Sequence, residues 1–301
     1  MRRLAGIAVC AWAVVGAFAF EWPLAEPQIL RGFAERQADH LLSGIVLLSQ
    51  SPQVRPIAQG ELIFQYRQDS DYSSLPRGVG DFLVLEHSGN MRSLYGHLRS
   101  EEMPALPEEP RQGRDAFHYE LNQVMGLTGA TGAATGQQLF LSIMDTEASS
   151  MLNPLLVLPP LADTQLPAIR AVSLINGQTE VSLTPGLRVP AGRYDVAVDA
   201  HDLRGGVAFA APFAPYRIEL FLNGVQQSRI TFDGLATRQG QRVLTSHGAS
   251  GTGVPLERLY AGALIVAGNA NLAAGEVRVL VLVADYAGNE ATMSRSLGVL
   301  E

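Results

Sequence analysis

The sequence predicts a mainly β protein with two domains, and three observations support this prediction. Short apolar runs recur along the chain, and residues typical of turns separate them. The 30 glycines and 17 prolines supply enough turn residues for many short strands. The chain has 301 residues, of which 47% are hydrophobic and only 17% are charged. This length fits two folded domains with apolar cores, and the composition argues against a disordered chain.

The first segment of the chain has the pattern of a secretory signal peptide. Arg2 and Arg3 form a short basic region, and the run from Leu4 to Phe18 is apolar. Residues 17–19, Ala-Phe-Ala, match the small-x-small cleavage pattern. We therefore expect a signal peptide over residues 1–19 and an exported protein of the periplasm or cell envelope. The alternative is a retained anchor, for which the apolar run is short.

Charge and cysteine content exclude several classes of site. The formal net charge is −7, and removal of Arg2 and Arg3 with the leader would make it −9. An acidic chain without a basic run argues against nucleic-acid binding, because phosphate groups require clustered cations. The single cysteine, Cys10, lies in the predicted leader behind Val9, which argues against a lipoprotein. The mature chain would then contain no disulfide and no cysteine-based metal site. We also expect no membrane span in it.

The first half of the chain reads as one helix followed by strands. Leu30, Phe33 and Ala34 have helical spacing, so Leu24 to Asp39 is predicted to be a helix. After it come three apolar runs that predict strands: Gly44 to Leu48, Glu61 to Tyr66 and Asp81 to Glu86. The segment from Glu101 to Arg114 is rich in proline and acidic residues and predicts a surface loop.

A proline-rich segment, Leu155 to Pro167, is predicted to link two domains over residues 24–158 and 168–301. Beyond it the strand pattern resumes, with turns such as Asn223-Gly224 between the runs. Strands at this spacing with glycine-rich turns predict an antiparallel sandwich. The predicted strands are Ile169 to Leu174, Arg193 to Asp199, Tyr216 to Leu222 and Val277 to Val283.

Four fragments of the first half occur in an order that resembles the LytM/lysostaphin-type peptidoglycan endopeptidase domain. The resemblance covers roughly residues 42–155 and closes at Asn153-Pro154. The fragments are residues 80–87 (Gly-Asp-Phe-Leu-Val-Leu-Glu-His), 94–98 (Leu-Tyr-Gly-His-Leu), 124–132 (Val-Met-Gly-Leu-Thr-Gly-Ala-Thr-Gly) and 135–143 (Thr-Gly-Gln-Gln-Leu-Phe-Leu-Ser-Ile). The resemblance implies an antiparallel β-sheet domain with the cleft of a zinc peptidase.

The same resemblance implies that the zinc ligands are absent. That family holds zinc with a histidine and an aspartate around a glycine, and with the second histidine of a His-Leu-His segment. Aligned on Gly44, the first two positions fall on Leu42 and Val46. The later two histidine positions fall on Gln138 and Phe140, and only His97 keeps its expected identity. A hydrolytic zinc needs about three protein ligands and a water, so we expect no metal, no cofactor and no catalytic residue.

Three functions follow as alternatives. The first is a non-catalytic cell-envelope protein, a pseudo-peptidase, that binds peptidoglycan or regulates a cell-wall enzyme. The second is an active zinc-dependent peptidoglycan endopeptidase with relocated ligands, for which His40, His87 and His97 are the candidates. The third is a purely structural envelope protein. The oligomeric state is left open, as is whether side chains fill the former cleft.

Near the end of the chain, Asp285-Tyr286-Ala287-Gly288-Asn289 resembles the last turn of bacterial immunoglobulin-like domains. The second half is therefore expected to be an immunoglobulin-like β-sandwich. Asp199, Asp202 and Asp285 with Asn289 could bind calcium, but they do not have EF-hand spacing. We favour the interpretation in which Asp285 and Asn289 cap the turn.

Overall fold

A computed structural model of the chain describes residues 20–37, 41–67, 78–104, 117–202, 213–246 and 253–301. The predicted leader, Cys10 and His40 lie outside these residues. The first half contains ten strands: β1 (Gln28–Arg31), β2 (Ile45–Leu48), β3 (Gln53–Val54), β4 (Gly60–Tyr66), β5 (Phe82–His87), β6 (Met91–Gly96), β7 (His118–Tyr119), β8 (Gly126–Leu127), β9 (Leu139–Asp145) and β10 (Ser150–Leu152).

The second half contains thirteen described strands and one short helix, α1 (Leu256–Leu259). The strands are β11 (Ala168–Asn176), β12 (Thr179–Ser182), β13 (Arg188–Pro190), β14 (Gly192–His201), β15 (Arg217–Leu222), β16 (Val225–Thr231), β17 (Gly234–Arg238), β18 (Gln241–Thr245), β19 (Val254–Pro255), β20 (Tyr260–Ala261), β21 (Leu264–Leu272), β22 (Gly275–Ala284) and β23 (Glu290–Leu300). The prediction of a mainly β fold is therefore confirmed. Among the described residues, no helix has the length and apolar character needed to cross a membrane.

The main sheet of the first half is antiparallel and places alternate side chains on two faces. Its central strands β4, β5, β6 and β9 are neighbours in that order, and β2 pairs with the start of β9. Side chains on one face form the core, among them Ile45, Leu83, Tyr95 and Leu141, all of which are fully buried. We call the opposite face, which carries Val46 and Phe140 among others, the outer face.

The predicted helix over residues 24–39 is wrong for the part of it that is described. Gln28 to Arg31 forms strand β1, in which Ile29 pairs with Leu47 of β2. Ala34 then adopts a left-handed conformation, with a φ of +57°. Its amide donates to the Leu42 carbonyl at 2.8 Å. Pairing with β2 thus satisfies the backbone groups that a helix would have satisfied internally, and it overrides the helical spacing.

The second half forms two five-stranded sheets packed face to face. One has the order β12-β11-β14-β21-β20 and the other the order β13-β23-β22-β15-β16. Alternate residues of β22, from Val277 to Val283, point into the core between the sheets. They pack there with Val196 and Val198 of β14. The predicted β-sandwich is confirmed, because these strands bury one face each in a shared core.

Hydrogen bonds continue the main sheet from the first half into the second. Strand β10 pairs with β17 through the partners Ser150 and Ala236, and β17 then pairs with β18. The main sheet therefore has eleven described strands, three of which come from the second half. The predicted division between residues 158 and 168 stays a prediction. The Trp22 indole nitrogen of the first half donates to the Pro159 carbonyl of the predicted linker at 2.9 Å.

Candidate functional site

Two of the three positions that align with zinc ligands are direct neighbours in the main sheet. Val46 of β2 and Phe140 of β9 are cross-strand partners, so their side chains lie side by side on the outer face. Both are buried, with 3% and 5% of their surfaces exposed. The same register pairs Phe140 with Gly96 of β6. The outer face at this point is therefore occupied by packed apolar side chains.

Gly44 makes room for the Phe140 ring at the start of β2. A Cβ atom at Gly44 would lie 2.8 Å from Cζ of Phe140, which is closer than two carbon atoms can approach. The ring therefore occupies the space beside the Gly44 backbone. Leu42, two residues earlier, is half-buried, and its amide donates to the Glu35 carbonyl at 3.0 Å. Leu42, Val46 and Phe140 have no side-chain donor atom for a metal.

His97 lies against Phe140, and an unusual backbone conformation places it there. Strand β6 ends at Gly96, and His97 has a φ of +62°, which ends the alternation of side chains along the strand. The His97 and Phe140 rings then meet edge to face, with centroids 6.2 Å apart. The His97 amide donates to the Val79 carbonyl at 2.7 Å and fixes this turn.

One hydrogen bond decides which nitrogen of the neutral His97 ring carries the proton. Its Nδ1 atom lies 2.9 Å from the Thr131 carbonyl oxygen, which can only accept, so Nδ1 carries the proton in the neutral ring. Burial lowers the pKa of His97, and the hydrogen bond to Thr131 opposes this effect. The neutral imidazole is therefore favoured near neutral pH, with the lone pair on Nε2. Among the described residues Nε2 has no hydrogen-bond partner.

Gln138 comes directly before β9, and its backbone forms a bridge with Gly129 of the adjoining loop. Its amide donates to the Gly129 carbonyl at 2.9 Å, and the residue is 6% exposed. Leu42, Val46, His97, Gln138 and Phe140 thus all lie at one end of the main sheet. We call Val46, His97 and Phe140, together with Gly44, the Phe140 cluster. It is the part of the predicted site that the structure packs together.

His87 belongs to a different place in the molecule. It ends β5 opposite Met91, beside the β5–β6 turn, whereas His97 follows the far end of β6. Its Nδ1 lies 2.9 Å from the Gln59 carbonyl oxygen and its Nε2 lies 2.7 Å from Oγ of Ser93, on the core side. Both ring nitrogens are engaged, so His87 and His97 do not meet around one ion. His87 and His97 therefore cannot both bind the zinc ion that the relocated-ligand alternative requires. His40, the third candidate, lies outside the described residues.

The second half places three carboxylates together, and one of them was missed by the sequence prediction. Oxygen atoms of Asp163, Asp202 and Asp285 lie within 4.8 Å of one another. Asp163 comes from the predicted linker, which gave no signal for such a role, and Asp199 is not in the group. The Asp285 carboxylate accepts from the amides of Ala287 and Asn289, at 2.8 and 2.9 Å. The predicted turn cap is therefore confirmed.

Comparisons with known proteins give partial likenesses. A family profile matches residues 166–299, which is less than half of the chain. No curated protein matches this chain. A zinc-containing peptidase from Vibrio cholerae is similar at 21% identity and a TM-score of 0.33, over 42% of this chain and 36% of that chain. This chain thus spans well under half of that peptidase.

Two further solved structures are similar at the same level. The catalytic domain of the antimicrobial peptidase lysostaphin from Staphylococcus simulans has 19% identity and a TM-score of 0.33, over 42% of this chain and 88% of that chain. A chain of the SpoIIQ–SpoIIIAH pore-forming complex has 16% identity and a TM-score of 0.35, over 46% of this chain and 90% of that chain. Likenesses at these scores do not assign a function.

Proposed function

We propose that the protein is a non-catalytic cell-envelope protein, a pseudo-peptidase that binds peptidoglycan. The observation that carries the proposal is the Phe140 cluster. Phe140 packs on Gly44, beside Val46 and against the His97 ring, where the LytM/lysostaphin resemblance would require a zinc ion. A metal that activates water needs an open, polar position, and burying a charged ion among apolar side chains is strongly unfavourable.

Further support comes from the histidine that is retained. A catalytic base must reach the reacting water, and in a zinc peptidase it acts beside the metal. His97 is hydrogen-bonded to the Thr131 carbonyl and its ring contacts Phe140. The histidine is therefore retained, but its neighbour at the aligned ligand position is an apolar ring that cannot bind a metal. Export to the envelope is part of the proposal and depends on the signal-peptide pattern of residues 1–19.

Metal content and wall binding of the purified protein test this proposal together. We expect less than stoichiometric zinc after dialysis against zinc-containing buffer, no digestion of isolated sacculi, and co-sedimentation with them. One tightly bound zinc per chain, with digestion that chelation abolishes, would overturn the proposal in favour of an active peptidase. Failure to co-sediment would favour the structural alternative, and capture of a cell-wall hydrolase instead would make the protein a regulator.

A further inference from the structure

A polar pocket includes Thr131, the residue whose carbonyl contacts His97, in its lining. It has a volume of about 350 Å³ and is lined by Arg99, Glu101, Thr128, Gly129 and Gln137 among others. These side chains differ in kind from the Phe140 cluster, because they supply a cation, an anion, a hydroxyl and an amide. Concave sites with a few convergent polar groups are the usual places for small ligands.

The backbone around this pocket is fixed by short-range packing. Leu98 and Thr128 form an isolated antiparallel bridge, and the Arg99 amide donates to the Leu127 carbonyl at 3.0 Å. A Cβ atom at Gly129 would lie 2.7 Å from the Arg99 nitrogen, so only glycine allows this approach. The base of the Arg99 side chain is therefore held rigidly beside the loop, which reduces the entropic cost of ligand binding.

The polar groups of the pocket have unused hydrogen-bonding capacity. Nε2 of Gln137 donates to Oγ1 of Thr128 at 2.9 Å, which leaves the Thr128 hydroxyl proton available to a ligand. Arg99 is exposed and makes no ion pair within the described part of the chain. A guanidinium beside a hydroxyl donor suits a carboxylate, which accepts two parallel hydrogen bonds from arginine.

We propose that this pocket binds the free carboxylate of a short peptide. Arg99 and the Thr128 hydroxyl would hold the carboxylate, and Oε1 of Gln137 would accept from a peptide N–H. Glu101, which also lines the pocket, would repel a polyanion and favour a peptide with a free amino group. The inference rests on the proposed function, since it assigns to a wall-binding protein the chemical group that it recognises.

Titration of the purified protein with dialanine, followed by backbone amide NMR, tests the proposal. Amide signals of residues 128–131 should shift on addition of dialanine and should respond much less to dialanine amide, which lacks the carboxylate. Arg99→Gln should weaken binding about tenfold or more, because a hydrogen bond to a charged group is lost. Arg242→Gln, an exposed arginine of β18, is the matched control and should bind as the unaltered protein does.

The outcomes separate this inference from the proposed function. Equal binding of dialanine and its amide, equal binding by Arg99→Gln, or no shift at residues 128–131 would overturn the inference. If sacculi still co-sedimented in that case, the proposed function would stand and the pocket would have no part in it. Loss of sacculus binding in Arg99→Gln, with its circular dichroism unchanged, would support both.

Discussion

The side-chain amide of Asn153 donates a hydrogen bond to the Tyr286 hydroxyl at 2.6 Å, and the two residues come from opposite halves of the chain. The same amide donates to the Phe232 carbonyl at 2.8 Å, and Oδ1 accepts from the Leu155 amide at 3.1 Å. Asn153 is fully buried. It therefore satisfies polar groups of both halves at the point where β10 joins β17.

Asn153→Ala should lower the free energy of unfolding by about 2–4 kcal/mol, because it removes three hydrogen bonds of a fully buried side chain. Tyr286→Phe removes one of these bonds and should cost about 1 kcal/mol. Asn271→Ala, at an exposed position of β21, is the control and should change stability by less than about 0.5 kcal/mol. Urea unfolding measures all three.

The shape of these unfolding curves carries a second piece of information. Because the main sheet runs through both halves, we expect one cooperative transition that Asn153→Ala shifts as a whole. Two separate transitions, with only one of them displaced by Asn153→Ala, would contradict a shared folding unit. They would instead agree with the predicted division near residues 158–168.

A second prediction concerns a buried chain of hydrogen bonds that ends at His87. The Ile57 amide donates to the Tyr95 hydroxyl at 2.8 Å, and the Tyr95 and Ser93 hydroxyl oxygens are 2.9 Å apart. Nδ1 of His87 must donate to the Gln59 carbonyl, so Nε2 of the neutral ring accepts from Ser93. Tyr95 then donates to Ser93, and every polar group in this series of hydrogen bonds has a partner.

Protonation of His87 would break this arrangement. Nε2 would become a donor to Ser93, whose proton would turn towards Tyr95, and the buried Tyr95 hydroxyl proton would have no acceptor among the described residues. Burial lowers the pKa of His87, and the hydrogen bond to Gln59 partly opposes this effect. Because the unfolded chain binds this proton more readily, stability is full above the unfolded pKa of about 6.5 and falls as pH decreases below it.

His87→Gln should therefore flatten the pH dependence of stability. At pH 7.5 the variant should be less stable than the unaltered protein by about 1–3 kcal/mol, since buried partners lose their bonds. This difference should narrow at pH 5. His118→Gln, at a side chain that is 54% exposed, should leave the unfolding free energy unchanged at both pH values. A difference for His87→Gln that is constant with pH would refute the mechanism.

The sequence could predict the strands but not their long-range partners. Alternating apolar residues and glycine turns identify strands such as β14 and β22, because their side chains bury one face in the sandwich. The pairing of Ser150 with Ala236 joins residues far apart in sequence, and no local pattern encodes it. The error at residues 24–39 has the same origin, since Ile29 is held by Leu47 of another strand.

The candidate site shows the same division between local and long-range information. The aligned motifs named Val46 and Phe140 as positions of lost ligands, and the structure makes these two residues cross-strand partners. The edge-on contact between His97 and Phe140 depends on a positive φ at His97, which residue type alone does not reveal. The pocket beside Arg99 was missed because its walls come from two segments that are far apart in sequence and meet through tertiary contacts such as the Leu98–Thr128 bridge.

A third prediction measures how tightly the Phe140 cluster is packed. Phe140→Ala should lower the free energy of unfolding by about 3–5 kcal/mol, because it removes a buried ring and leaves a cavity beside Gly44. Phe64→Ala is a matched control, because it removes the same type of ring from the same face of the sheet. Phe64 differs from Phe140 in being 53% exposed. Its substitution should cost about 1 kcal/mol or less, including its ring contact with Phe82. Equal losses would show that the cluster is not a packed core element.

The last prediction tests the alignment of the zinc positions directly. If Leu42, Val46 and Phe140 occupy the three ligand positions, then Leu42→His, Val46→Asp and Phe140→His together should create a zinc site. Val46 and Phe140 are cross-strand partners on one face, so the new aspartate and histidine would be adjacent. Three protein ligands leave one tetrahedral position for water, as hydrolytic zinc requires. We expect one zinc per chain in the triple variant after dialysis, measured by elemental analysis.

The double variant Leu42→His, Val46→Asp is the control, because it supplies two ligands while Phe140 still fills the site. It should retain much less zinc than the triple variant, since affinity depends on the full ligand set. A folded triple variant without zinc would show that these positions do not converge as the alignment requires. Zinc in the triple variant alone would instead establish that the apolar side chains at these three positions exclude the metal from the unaltered protein.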